Sequence, residues 1–343
     1  MTIVSIIIKA LNEESNIARA IESALRAIAG IGGEVILADA LSSDRTVAIA
    51  RRFPITIVQL AHAADRGCGA GPQLGFQYAQ AEFVYLLDGD MELRAGFIEA
   101  ALHHLQSESD LAGVGGLIEW GDFGIEYSAR QSRKKTQERL GYVPHLGGGG
   151  LYRADALRRV GYFSNRNLHG YEELELGLRL GSAGWKLKRL DQYSVRHQPQ
   201  RLAIHSLLAK KWRGGFLLGG GELLRAAIGK SYFPDVLKEL RYLFVAGGWV
   251  VTLFVALLLP MTLPSRMAVL IALLAAPVIF MSIVKRSVSL ALYSVFAWCV
   301  ALVGAIRGAF RRQVDPSKPI ESRVLQRGEW IAPVNHEKRR AAF

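Results

Sequence analysis

Two carboxylates separated by a single glycine, Asp88-Gly89-Asp90, close an apolar run that begins at Phe83. A short continuous apolar run suits a strand buried on both faces of a parallel sheet. In extended backbone, positions two apart point the same way, so the spacing predicts that Asp88 and Asp90 share one small volume. Paired carboxylates repel, and a divalent cation relieves the repulsion. Hard cations such as Mg2+ or Mn2+ favour oxygen ligands and share them with substrate phosphates. Open α/β sheets also bind ligands beyond the carboxyl ends of their strands. Asp-Gly-Asp is equally good surface-turn chemistry, and both readings stand at this point. Downstream, Glu172, Glu173 and Glu175 suit the acidic first turn of an exposed helix, which the helix dipole favours. Two glycine-rich stretches, Arg66 to Gly71 and Gly147 to Gly150, read either as flexible loops or as places where a ligand comes close to the backbone. The last candidate is His197, at the end of YSVRH.

The elements that must position these residues are legible in the pattern. Val4 to Ile8 is a β-branched run and reads as a buried first strand. Ile17, Ile21 and Leu25 recur at helical spacing. Glu34 to Ala38 reads as a second strand that ends at Asp39, and Ile55 to Leu60 as a third. A helix is expected over about 72–81, another over 93–106, and a last strand over 193–197. Strands alternating with short helices indicate βαβ units.

In this order the first 200 residues resemble a family-2 glycosyltransferase, with the GT-A nucleotide-sugar-binding fold. The resemblance rests on Asn12-Glu13-Glu14 after the first strand, Asp39 after the second, the Arg66-Gly67 loop and the Asp88-Gly89-Asp90 motif. It extends through Leu146 to Tyr152, Arg153 to Phe163, and Tyr171 to Leu176 with Arg179 beyond. The sequence departs from the family where the second strand ends: Asp39-Ala40-Leu41-Ser42 stands for Asp-Asp-Gly-Ser. The resemblance implies a mostly parallel sheet flanked by helices. It also implies donor binding by Ala10, Asn12, Glu13, Asp39, Arg66, Gly67, Asp88, Gly148 and Gly149. A Mg2+ or Mn2+ ion would sit on Asp90, Asp88 and His197. Glu173, with Glu172 beside it, takes the position of the catalytic base.

Charge and hydropathy bound the rest. The net charge is +12, yet residues 1–200 are balanced, with 22 basic and 23 acidic side chains. The excess lies in 201–241 and 311–343, on either side of an apolar region. A nucleic-acid binder carries its basic face on the folded domain, so this distribution argues against nucleic acid and for anionic lipid headgroups. Tyr242 to Leu263 and Ser287 to Ile306 are long enough to span a bilayer, which takes about 20 residues. Met267 to Val284 is shorter and holds Pro277. Four regions are therefore expected: a catalytic domain over 1–200, a basic amphipathic interfacial linker over 201–241, a helical membrane region over 242–310, and an extended basic tail over 311–343. Gly219-Gly220-Gly221 is expected to break or bend the linker. Nothing at the start resembles a signal peptide, which predicts a cytoplasmic catalytic domain on the inner membrane, multi-pass or hairpin-anchored.

The reading implied by the resemblance is an inverting transferase. It moves a sugar from a nucleotide-diphospho-sugar, UDP-linked, to a hydroxyl of a lipid-linked or glycan acceptor in surface polysaccharide or glycolipid assembly. A polyprenyl-phosphate sugar transferase is the alternative enzyme, though its acceptor is already ionised and needs no base. A non-catalytic membrane scaffold on a degenerate nucleotide fold is the third reading.

Overall fold

The computed structural model describes residues 4–121, 139–197 and 204–332. Contacts divide the chain into two compact units, residues 1–202 with 313–343, and residues 203–312.

The first unit is built on strands β1 (Val4–Ala10), β2 (Gly33–Asp39), β3 (Thr56–Leu60) and β4 (Phe83–Asp88), with helices α1 (Ile17–Ile28), α2 (Thr46–Ala50) and α3 (Ala70–Phe76) between them. These four strands pair in parallel in the order β3-β2-β1-β4. Their side chains alternate between two cores. Ile6 and Ile8 pack with Ile17, Ile21, Ala24 and Ile28 of α1 on one face. Ile7 packs with Leu74 of α3 on the other. Each such fully buried aliphatic side chain contributes about 1.5–3 kcal/mol, which is why uninterrupted β-branched runs end up at the centre of the sheet.

The chain continues through β5 (Met91–Leu93), α4 (Phe97–Ser107), β6 (Leu111–Trp120), β7 (Gly141–Tyr142), β8 (Gly150–Arg153), α5 (Ala154–Arg159), α6 (Glu172–Ser182) and β9 (Lys186–His197). Here the sheet becomes mixed: β8 is antiparallel to β4 and β6, β9 parallel to β6, and β5 antiparallel to β9. The expectation of a mostly parallel sheet holds for the first half only. The helix expected from residue 93 starts at Phe97, because Met91–Leu93 pairs with β9 instead. The helix expected over 72–81 runs from Ala70 to Phe76.

The second unit holds α7 (Ile204–Arg213), α8 (Gly219–Ala227), α9 (Phe233–Glu239), α10 (Arg241–Leu258), α11 (Leu263–Lys285) and α12 (Val288–Ala309). The last three are long and apolar enough to cross a membrane, judged by length and composition. α11 is the longest and runs straight through Pro277. Their surfaces expose large apolar side chains all round, such as Phe254 at 61% and Ile283 at 72%. Such surfaces suit a hydrocarbon solvent. The glycine triplet at 219–221 opens a helix and does not break one. A Cβ on Gly221 would lie 1.7 Å from the Ala305 carbonyl oxygen, so glycine permits α8 to touch α12 directly. Glu222 is buried there, 3.8 Å from Arg311.

After α12 the chain returns to the first unit. Strand β10 (Ser322–Gln326) pairs antiparallel with β3 and covers the edge of the sheet. Ile320 is buried, and its backbone exchanges two hydrogen bonds with the Gln77 side chain, at 2.7 and 3.2 Å. Arg166 Nη1 donates to the carbonyls of Lys318 and Pro319, and Gly33 and Ile331 form an isolated bridge. The described part of the expected extended tail is therefore the outer strand and strap of the first unit's sheet. Residues 333–343 of that tail lie outside the described residues.

Candidate active site

The candidate residues come together at the carboxyl ends of β1, β2 and β4, where open α/β sheets bind ligands. Register fixes the arrangement: Ala10 lies opposite Asp39, and Lys9 opposite Asp88.

The turn after β1 is laced to the loop after β2. Asn12, at φ +59°, accepts on Oδ1 from the Ser43 backbone N–H at 2.8 Å and donates its own N–H to the Ser42 hydroxyl oxygen at 2.9 Å. The Glu13 N–H donates to Thr46 Oγ1 at 2.8 Å. Arg66 Nε donates to Ala40 O, and Arg66 Nη2 to Leu41 O, so this guanidinium braces the Asp39 loop. Gly67 follows, where a Cβ would lie 3.1 Å from Leu168 O. Asp39 is fully buried. Its Oδ2 accepts from the Ser42 N–H and from Gln59 Nε2, while Oδ1 has no partner. A buried carboxylate oxygen without a donor is costly, and a donor on a ligand would satisfy it.

Asp88 and Asp90 each have a partner of their own, Lys9 and His197. β4 ends at Asp88, and Gly89-Asp90 is the turn into β5, so the alternation of extended backbone does not reach Asp90. Asp88 Oδ1 meets the Lys9 ammonium at 3.2 Å, and Asp90 Oδ2 meets His197 Nε2 at 3.2 Å. Burial pushes the Asp88 carboxyl above its ordinary range; Lys9 opposes this and Asp90 adds to it. The His197 ring lies 4.9 Å from that of Trp120, on the neighbouring strand β6. Among the described residues no three His, Cys, Asp or Glu side chains converge into a ready metal cage. A carboxylate–imidazole pair beside a second carboxylate still fits a divalent ion that completes its shell with substrate phosphates.

Glu173 sits in the first turn of α6. Its carboxylate accepts the N–H groups of Gly148 and Gly149 at 3.1 and 3.0 Å. Both glycines have positive φ, +81° and +89°, and a Cβ on Gly149 would strike Leu86 O at 2.2 Å. The glycine run is thus what brings two donors onto one carboxylate. Burial pushes the Glu173 pKa up to about 7; Lys9 opposes the shift, and Glu172 and Asp88 add to it. Glu172 points to Lys9. Glu175 is fully buried and paired with Arg179, with Tyr162 donating to it at 2.7 Å. Lys9 and Trp120 border the site without having been singled out in the sequence. A lysine inside VSIIIKA was the one available signal, a charge where a buried strand should carry none.

Residues 5–162 match the model of the family described as Glycosyl transferase family 2. Over 144 residues the chain is 30% identical to the succinoglycan biosynthesis protein ExoO of Rhizobium meliloti (strain 1021), covering 42% of this chain and 40% of that protein. The match thus spans less than half of the relative's length. The solved mannosyltransferase PcManGT of Pyrobaculum calidifontis, in complex with GDP-Man and Mn2+, is similar with a TM-score of 0.60 at 17% identity, over 90% of this chain and 87% of that one. TarS 1-349 of S. aureus, in complex with UDP-GlcNAc, gives 0.51 at 14% identity, over 98% and 100%. These two likenesses speak for the fold. Residues 5–162 therefore match glycosyl transferase family 2, on a sheet of GT-A type.

Proposed function

We propose that the chain is an inverting glycosyltransferase that uses a nucleotide-diphospho-sugar and acts on a hydroxyl of a lipid-linked or membrane-proximal acceptor. The observation that carries the reading is Glu173: a carboxylate with proton affinity near neutrality, fixed by two glycine N–H donors, beside the Asp88-Gly89-Asp90 turn. A general base works best with a pKa near the operating pH. In the proposed reaction Glu173 takes the proton of the acceptor hydroxyl. The acceptor oxygen bonds to the anomeric carbon from the face opposite the leaving group. The bond to the diphosphate breaks, and the nucleoside diphosphate departs with the electron pair. Asp39 Oδ1 suits an N–H or O–H of the base or ribose. Asp90, with His197 and Asp88, would hold Mg2+ or Mn2+. Such an ion supplies charge stabilisation for the departing diphosphate. The succinoglycan relative supports an acceptor in polysaccharide assembly, and the three apolar helices support a membrane-proximal one.

The test is isothermal titration of the full-length protein in detergent with UDP and with GDP, with and without Mn2+. One nucleotide should bind, more tightly with Mn2+, and Asp90→Ala should remove the Mn2+-dependent part. Absence of binding by either nucleotide overturns the reading. Unchanged Mn2+ dependence in Asp90→Ala overturns the metal assignment alone.

A further inference from the structure

We infer that Lys9 is a positioning residue that ties the Asp88 carboxylate to the first turn of α6, and so places Glu173. The inference rests on the transferase reading and deepens it. Lys9 lies on β1 one residue before its end and leaves the sheet on the same face as Ile7. Two glycines of α3 spaced by one turn make room for both side chains. A Cβ on Gly71 would lie 2.9 Å from the Lys9 Cβ, and one on Gly75 would lie 2.2 Å from Ile7. The helix packed here therefore carries no side chain at the point where the lysine stem passes.

The ammonium ends 3.2 Å from Asp88 Oδ1 and 3.2 Å from Glu172 Oε1. It is mostly buried, and a buried ammonium persists only when paired. Glu172 is the first residue of α6, entered through Tyr171 at φ +66°, and Glu173 is the second. One cation thus joins the end of β4 to the start of the helix that carries the proposed base. A helix start entered through a strained residue needs such a restraint to hold a defined place.

The test uses the full-length protein in detergent and the variant Lys9→Met, read in two ways. The first is Mn2+ affinity by titration calorimetry, which needs no turnover. Removing a like charge beside Asp88 should tighten Mn2+ binding, by about threefold or more. The second is the split between KM and kcat. The donor KM should stay within about threefold, while kcat falls about 10–100-fold, as expected for a base displaced by on the order of 1 Å. Adding Glu172→Gln to Lys9→Met should cost little more, because the two residues act as one link. If Lys9→Met does not fold, Glu172→Gln breaks the same link from its other end and should show the same loss of kcat with the donor KM retained.

A Lys9→Met enzyme with near-normal kcat overturns the proposal, as do losses that add fully in the double variant. A fall in Mn2+ affinity also overturns it, since Lys9 would then be holding the metal site together. Failure of the unaltered protein to turn over any donor counts against the transferase reading instead, and leaves the Mn2+ titration of Lys9→Met to decide the role of the lysine.

Discussion

Three glutamates within four residues have three different fates in the first turn of α6. Glu173 is held by glycine N–H groups, Glu172 pairs with Lys9, and Glu175 is buried against Arg179. Spacing alone shows an acidic helix start. The division of labour follows from the 100° rotation between neighbours on a helix and from what each finds opposite. Glu173→Gln keeps the shape and loses the basicity, so transfer should fall about 10²–10⁴-fold while nucleotide affinity survives. Glu175→Gln should leave the donor KM unchanged and lower the thermal midpoint instead, because it strands a mostly buried arginine. Midpoint and rate measured together separate the two. Transfer should also rise with pH up to about 7, the pKa to which burial lifts Glu173. For the ligand-free protein the sign is opposite. The folded state holds this proton more tightly than the unfolded chain does, so the group's contribution to stability is complete below its ordinary 4.5 and is lost as pH rises through about 7. A pH–rate profile set beside a pH–midpoint series shows whether the two slopes diverge as expected. Lys9 escaped sequence reasoning because its meaning lies in partners 79 and 163 residues away.

At the scale of elements, the first four strands were legible because each is a short, mostly apolar run buried along most of its length. The second half was less so, since strands such as β8 and β9 carry glycine and charge in place of a continuous apolar signal. The glycines at 219–221 look like a break by propensity, and close packing against α12 overrides propensity. β10 was the hardest to see. It is five residues long, and its register with β3 joins Ser322 to Leu60 across more than 260 residues. It nevertheless covers an edge that would otherwise present unpaired backbone groups. Ending the chain after Arg312 should therefore lower the thermal midpoint of the remaining protein by about 5 °C or more and promote its aggregation. Measured by light scattering on heating, a truncated protein as stable and as monodisperse as the full chain would show that β10 is dispensable.

At the scale of the whole molecule, both flanks of the apolar unit belong to one folded unit. A single sheet cannot lie on two sides of a bilayer. On the reading that α10, α11 and α12 are the membrane region, the chain must cross an even number of times, so no more than two of the three helices span. Three full crossings would have placed the basic tail opposite the catalytic domain. On that reading the pairing of β10 with β3 argues against such an arrangement. Cysteines introduced singly at the exposed Glu22 and at Arg323 should both react, or both fail to react, with an impermeant reagent on intact cells. Labelling of one alone would contradict this topology.

The position of β10 also sets an order of events during synthesis. Because β10 is encoded after the apolar helices, the first unit is split in sequence, with the second unit inserted into it. Strands β1 to β9 leave the ribosome first, but the edge at β3 stays open while about 110 residues of the second unit are made at about 5–20 residues per second. The sheet gains β10 only when residues 322–326 emerge, after the three apolar helices have been made. A nascent chain that missed the membrane would meet that moment with both its apolar helices and the β3 edge uncovered. The order of the elements thereby makes completion of the sheet follow synthesis of the apolar helices.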